Sequence, residues 1–196
     1  YVPTLQARQV LRQGTAEAFA QSIDLYQQTL VIAPDYAAAW AGLAESYSRQ
    51  ADKALRPIDE GYTLARAAAD KALAIDPGNA VAHSMLGWIA MAYDGDLAAA
   101  ARHLERALQL DPANLDTFLN AADLTLNLGR ADEAVTLGEY VVSRDPVNAL
   151  GQYRLGLDYL WAGRSDEAIA SLRTSLSLSP GRIGAQSAIG DALLRQ

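Results

Sequence analysis

Cysteine is absent from all 196 residues, and that removes several chemistries at once. Disulfides, thiolate metal sites, iron–sulfur clusters and cysteine nucleophiles are all excluded. The compartment stays open, because a chain without cysteine survives in either redox environment; the cytoplasm is favoured and the periplasm is not excluded. Positive charge is scarce too, with 16 basic against 23 acidic side chains and a formal net charge of −7. Nucleic acids and anionic membranes select for a basic face, so neither is an expected partner. Long apolar runs are also missing. The thirteen residues from Val81 to Tyr93 carry no Asp, Glu, Lys or Arg, but a bilayer needs about 20. No Asn-x-Ser/Thr acceptor occurs, and no basic segment followed by an apolar one opens the chain, so no signal peptide is read. The first residue is Tyr1, not Met, which predicts a piece of a longer protein.

What is present is ordinary for a globular chain: 51% hydrophobic and 20% charged residues, at a length that allows one domain or two small ones. Five of the seven prolines close a recurring phrase, VIAP at Pro34, AIDP at Pro77, QLDP at Pro112, SRDP at Pro146 and SLSP at Pro180. Their spacings are 43, 35, 34 and 34 residues. Within each unit, two stretches place apolar residues at i, i+3, i+4 and i+7, the mark of amphipathic helices. The fifth unit reads Leu155, Gly156, Tyr159, Gly163, Ala168, Leu172, Pro180. The fourth has Phe118, Ala122, Gly129, Ala134 and Pro146, and the third Leu86, Gly87, Ala100, Leu104, Ala107 and Pro112. The second opens with Trp40, Leu43, Ala44 and Tyr47, and the first, with Ala7, Val10, Tyr26 and Pro34, follows the pattern less fully.

A 34-residue period with these residues resembles the tetratricopeptide repeat (TPR) family. The resemblance implies an all-α fold, a right-handed α–α superhelix of about five helix-turn-helix repeats plus a terminal helix. The expected organisation is a single array over residues 1–196, with units at 1–36, 37–79, 80–114, 115–148 and 149–182 and a half-unit at 183–196. Small residues such as Gly156 and Ala168 let paired helices approach closely. The phrase Gly-Arg-x-Asp-Glu-Ala at Gly129 and Gly163 predicts a glycine at positive φ closing one helix and an acidic pair starting the next. Proline then ends each unit. In the half-unit, Ile189 and Leu193 are the expected buried pair.

Three units depart from the period, the first by about three extra residues near Gly14. The second is nine residues longer than 34, with the extra residues around Ala51 to Gly61. They read as a surface insertion, with Pro57 starting the second helix early and projecting it by about two turns. The third has one extra residue, assigned to the turn Asp94-Gly95-Asp96, which reads as a helix cap and not as half a calcium loop. The stretches LRPIDEGYTLARAAADKALAIDP and AYDGDLAAAARHLERALQLDPAN look like the TPR regions of bacterial signalling proteins, namely winged-helix regulators, class III cyclases and Ser/Thr kinases.

No motif carries catalysis. There is no P-loop spacing, no Gly-x-Gly-x-x-Gly, no His-Glu-x-x-His and no Gly-x-Ser-x-Gly, and no cofactor is expected. His83 and His103 lack acidic partners at ligand spacing, so no metal is expected either; His83 stands at the family's tryptophan position and reads as packing. Function therefore falls to a surface. In the family, first helices line a concave groove. The resemblance places Glu45, Arg49, Ser84, Trp88, Met91, Asp116, Leu119, Asp123, Asn127, Tyr153, Leu157, Trp161, Ser187 and Asp191 along it. The main candidates are Glu45, Arg49, Trp88, Asp116, Leu119, Asp123, Tyr153 and Trp161, an aromatic and acidic lining. The basic residues with which chaperone-docking members grip a terminal carboxylate do not recur. The expected function is a protein–protein interaction scaffold or sensing module that binds a basic, apolar peptide or helix. The alternative is a regulatory or dimerisation arm of a larger bacterial signalling enzyme or transcription regulator, with self-association open.

Overall fold

Each phrase proline lies one residue beyond the cap of a helix, where its missing N–H costs nothing. In the computed structural model, which describes residues 2–195, these helices are α2 (Ala16–Ile32), α4 (Ile58–Ile75), α6 (Leu97–Leu110), α8 (Ala131–Arg144) and α10 (Ser165–Leu178). They alternate with α1 (Val2–Leu11), α3 (Ala37–Asp52), α5 (Ala80–Ile89), α7 (Leu115–Asn127), α9 (Ala149–Trp161) and α11 (Ile183–Leu194). The described residues contain no strand. Three first helices start at the Asn of an Asp-Pro-x-Asn phrase. Asn79 accepts from Ala82 N, Asn114 from Asp116 N and Thr117 N, and Asn148 from Gly151 N, satisfying amides that an N-terminal turn otherwise leaves bare.

The described chain divides into two compact units, 1–113 and 114–196, at the boundary between the third and fourth repeats. In the first, the buried core runs through α1–α5 and is rich in alanine, with Tyr26, Leu43, Tyr62, Leu86 and Ile89 as its larger members. In the second, Val135, Leu155, Tyr159, Ile169 and Leu172 form the core. Close approach repeats in both. A Cβ on Gly87 would sit 2.7 Å from Leu104 Cγ, and one on Gly156 would sit 2.6 Å from Leu172 Cγ. Only glycine leaves room for the leucine of the paired helix at these two positions.

The turns inside the repeats also share one solution. Gly129 and Gly163 adopt φ of 75° and 74°, and Arg130 and Arg164 amides donate back to Thr125 O and Tyr159 O at 2.8 Å. This is a Schellman closure. In the second repeat the same bond, Leu55 N to Gln50 O at 2.9 Å, is closed by Ala54 at φ 53°. A Cβ there is strained by roughly 1–2 kcal/mol, a cost that glycine avoids.

The nine-residue insertion follows expectation in one respect and departs from it in another: residues 52–55 and 57–60 are exposed at the surface, but most of the added length is helix and not loop. Against the 13-residue α7 and 14-residue α8, α3 has 16 residues and α4 has 18, so seven of the nine extra residues lengthen helices; α4 gains one turn, not two. Pro57 is the N-cap of α4 and precedes its first turn. Only its two ends are packed: Ala51 and Gly61 are buried, and a Cβ on Gly61 would meet Ala51 Cβ at 2.7 Å, with the buried Tyr62 following. Tyr62 donates to Asp52 Oδ1 at 2.5 Å and stacks on Tyr93 with centroids 5.0 Å apart.

The extra residue of the third repeat is likewise placed differently. It enters the end of the first helix as a π-helical turn, Ala90–Asp94, the form one inserted residue takes when a helix absorbs it. Gly95 at φ 70° then closes the turn, and Asp96 caps α6 by accepting from Ala99 N. In α11 the buried face is Ala185, Ala188 and Ala192, whereas Ile189 is half-buried and Leu193 is 53% exposed. Alanine at i, i+3 and i+7 lets the helix lie close, and Leu193 falls on its outer flank.

Two stability outcomes follow from these contacts. Ala54→Gly is expected to raise the melting temperature, by about 0.5–1 kcal/mol of stability after the entropy of glycine is set against the relieved φ strain. Shortening Ala51–Gly61 by nine residues to regular length is expected to lower it by at least ~5 °C and to reduce helical circular dichroism. Unchanged melting after that deletion would mean that the extension is not part of the core.

Candidate partner-binding surfaces

The expected lining residues of the first unit lie on α3, α5 and the π turn. Glu45 and Arg49 face each other one turn apart on α3 at 3.6 Å and are partly buried. Trp88 is half-buried on α5, and its indole N–H donates to Asp52 Oδ1 at 3.2 Å. That same oxygen accepts from Tyr62, so Asp52 joins the lengthened end of α3 to α4 and α5. Burial, reinforced by Asp52, pushes the Tyr62 phenol well above its ordinary range. Ser84 and Met91 are buried and offer no surface. Trp40 is half-buried against the core and donates to Pro34 O at 2.8 Å.

The second unit holds the other candidates. Asp116 is exposed in the first turn of α7, where the helix dipole favours it. Asp123 pairs with Arg154 at 2.7 Å across α7 and α9. Leu119 is a correction: at 1% exposure it is a core residue of α7 and cannot anchor a ligand. Along α9, Tyr153, Leu157 and Trp161 follow at i, i+4 and i+8, so they share one stripe. Tyr153 and Leu157 are half-buried, with the Arg182 guanidinium 5.4 Å from the Tyr153 ring centroid. Trp161 is 71% exposed. Asn127, Ser187 and Asp191 are exposed on α7 and α11.

Two features of these units are absent from the sequence reading. Asp158 on α9 is 1% exposed, and its Oδ2 has no hydrogen-bond partner among the described residues. Burial first, then the Asp123 charge, pushes its carboxyl up to about 7 against the lowering effect of Arg154. The signal was present as an acid three residues after Leu155 on the apolar face. The second feature is the pair His83 and His103, on α5 and α6, whose Nδ1 atoms lie 3.1 Å apart. Burial foremost, and then the neighbouring His83, holds the His103 imidazole below its ordinary value. No group of three or more His, Cys, Asp or Glu converges as a metal site among the described residues.

Residues 91–152 match the family model of the tetratricopeptide repeat. The TPR protein TTC0263 of Thermus thermophilus is similar in structure, with a TM-score of 0.73 at 20% identity over 98% of this chain and 97% of that one. The fold is the all-α TPR fold. YrrB, a TPR protein with an unusual peptide-binding site, is similar with a TM-score of 0.57 at 21% identity, over 91% of this chain and 87% of its own. Human IFIT1, as a dimer with m7Gppp-AAAA, gives 0.83 at 17% identity over 98% of this chain but 46% of its own. No curated protein matches in sequence. No helix is long and apolar enough to cross a membrane among the described residues.

Asp158 makes a pH dependence testable. Its carboxyl is raised from 3.8 to about 7, so the folded chain retains a proton that the unfolded chain releases. The Asp158 contribution to stability therefore declines as pH rises between those values and is flat above and below them. Asp158→Asn is expected to raise the melting temperature more at pH 8 than at pH 5, measured by thermal unfolding. An equal change at both values would refute the assignment.

Proposed function

We propose that the protein is a protein–protein interaction scaffold, and that the edge of α9 in the second unit docks a peptide or helical segment. The observation that carries this is Trp161, a large aromatic exposed at the end of a stripe whose other members, Tyr153 and Leu157, are half-buried. Aromatic anchors of this kind dominate binding energies at interfaces. Asp116 and Asp123 on the neighbouring α7 supply acidic charge, against Arg154. The complementary ligand is a segment with Lys or Arg interleaved among apolar residues. Acidic steering then speeds association and weakens with salt, while burial of Trp161 sets the dissociation rate. YrrB, with its peptide-binding site, lends the reading a precedent of fold only.

In the first unit the proposal assigns no anchor. Trp88 is engaged with Asp52, and Glu45 and Arg49 are paired, so these residues hold the unit's own structure first. A role as the regulatory arm of a bacterial signalling protein rests only on the resemblance of residues 55–77 and 92–114, and nothing in the fold adds to it.

A random-peptide display selection against the intact chain tests the proposal. Enriched peptides are expected to interleave Lys or Arg with apolar residues. Trp161→Ala is expected to weaken the best of them at least about tenfold, since truncating a hot-spot anchor costs ~2 kcal/mol or more and ~1.4 kcal/mol is tenfold, while shifting the melting temperature by only about 1–2 °C. Trp88→Ala is expected to do the reverse, leaving affinity unchanged and lowering melting by roughly 4–8 °C for a loss of about 2 kcal/mol. Binding that is indifferent to Trp161→Ala would overturn the site.

A further inference from the structure

The histidine pair of the first unit has a chemistry that the scaffold role does not use. His83 stands six residues after Pro77, and its Nε2 lies 3.3 Å from the Pro77 carbonyl. The equivalent residues of two other repeats make the same contact with obligate donors: Trp40 Nε1 reaches Pro34 O at 2.8 Å, and Gln152 Nε2 reaches Pro146 O at 3.4 Å. Where this position holds a polar side chain that reaches the proline carbonyl it does so as a donor, whereas in the fourth repeat Phe118 stands there. His83 therefore carries its proton on Nε2, which leaves the Nδ1 lone pair turned toward His103. A backbone carbonyl holding the far N–H of an imidazole is the arrangement that orients metal-ligating histidines.

We propose that His83 and His103 are a two-nitrogen chelate for a divalent transition metal of the Zn²⁺, Ni²⁺ and Cu²⁺ class, with solvent completing the coordination shell. The Nδ1 atoms are 3.1 Å apart. With bonds of about 2.05 Å, that separation corresponds to an N–metal–N angle of about 100°, between square-planar and tetrahedral values. To reach a common point, each lone pair has to swing about 40° off the line joining the two Nδ1 atoms, a turn about χ2, which is a soft torsion. The proton that bridges the two Nδ1 atoms moves to His103 Nε2, so neutral His103 changes tautomer and no net proton is lost. Imidazole nitrogen selects this class of metal over calcium and magnesium, which prefer oxygen. His83 and His103 are both partly exposed, which leaves a path for the ion and for its waters. Of the charges that act on His103, Arg66 and Arg102 oppose a cation and Asp70 favours it, while Arg66 is paired with Asp94 at 2.6 Å. Occupancy would staple α5 to α6 within the first unit.

The test uses the untagged full chain, because an affinity tag of histidines would mask the signal. Zn²⁺, Ni²⁺ and Cu²⁺ are titrated separately by calorimetry, with CaCl₂ as the oxygen-preferring control. The expected result is one ion per chain for the transition metals, tightest for Cu²⁺, no calcium binding, and a rise in melting temperature that saturates with the ion. His83→Gln and His103→Gln are each expected to weaken binding at least tenfold. Should either variant fail to fold, the ring-proton resonances of the two histidines in the unmodified chain decide the matter, since Zn²⁺ must shift both together. Stoichiometric binding that survives both substitutions, or Zn²⁺ binding that leaves either ring unperturbed, would overturn the site.

Discussion

Close approach between the two helices of a repeat is the constraint on which the rest of the structure depends. At Gly87 and at Gly156 the leucine of the partner helix occupies the space a Cβ would need, 2.7 and 2.6 Å away. Leu104 and Leu172 are consequently buried to 1% and 0% exposure, in helices that bury few other large side chains. Much of the remaining core is alanine, whose burial contributes less per residue than leucine but demands a short interhelical distance to exclude water. The turns have to deliver the chain to that distance, and they do so with one repeated closure, a left-handed residue followed by an amide that bonds back across the helix end. Where glycine supplies that residue the closure is unstrained, and where Ala54 does it the backbone is held by its neighbours.

The acidic residues are used in two different ways. Asp52 sits at the end of the lengthened α3 and accepts from both Tyr62 and Trp88, so one carboxylate ties three helices together. The insertion is accommodated mostly as helix, buried at Ala51 and Gly61 where α3 and α4 meet and exposed between them. Asp158 is a liability by comparison, a carboxyl buried beside Asp123 with one oxygen unsatisfied. Its presence on the buried face of α9 leaves the second unit sensitive to pH in a range where few side chains titrate.

The consequence for function is that the aromatic residues divide by environment more than by position in the repeat. Trp40 and Trp88 are half-buried and have their indole N–H groups bonded inside the unit, while Trp161 offers most of its surface to solvent. A phase argument from the repeat treats Trp88 and Trp161 alike. The environment separates them, because the lengthened second repeat brings Asp52 to Trp88 from the end of α3, and α7, which holds the equivalent place before α9, ends at Asn127 with no such extension.

The sequence by itself determined the repeat, its period, the helix ends and the turns, because those rest on local chemistry: proline cannot continue a helix, Gly129 and Gly163 can turn left-handed, and Asp-Glu pairs favour a helix start. It also located the irregular repeats. It could not say how they are absorbed, since a π turn at Ala90–Asp94 and two lengthened helices conserve the same residue count as a loop and differ only in what they pack against. Leu119 and Leu193 exchanged the roles expected of them for the same reason: the 3.6-residue period gives a face, and only the neighbouring helices decide whether that face is inside. His83 and His103 are twenty residues apart and share no ligand spacing. Their meeting across α5 and α6 is a product of the glycine-tight helix pair, and only the tertiary structure could make it.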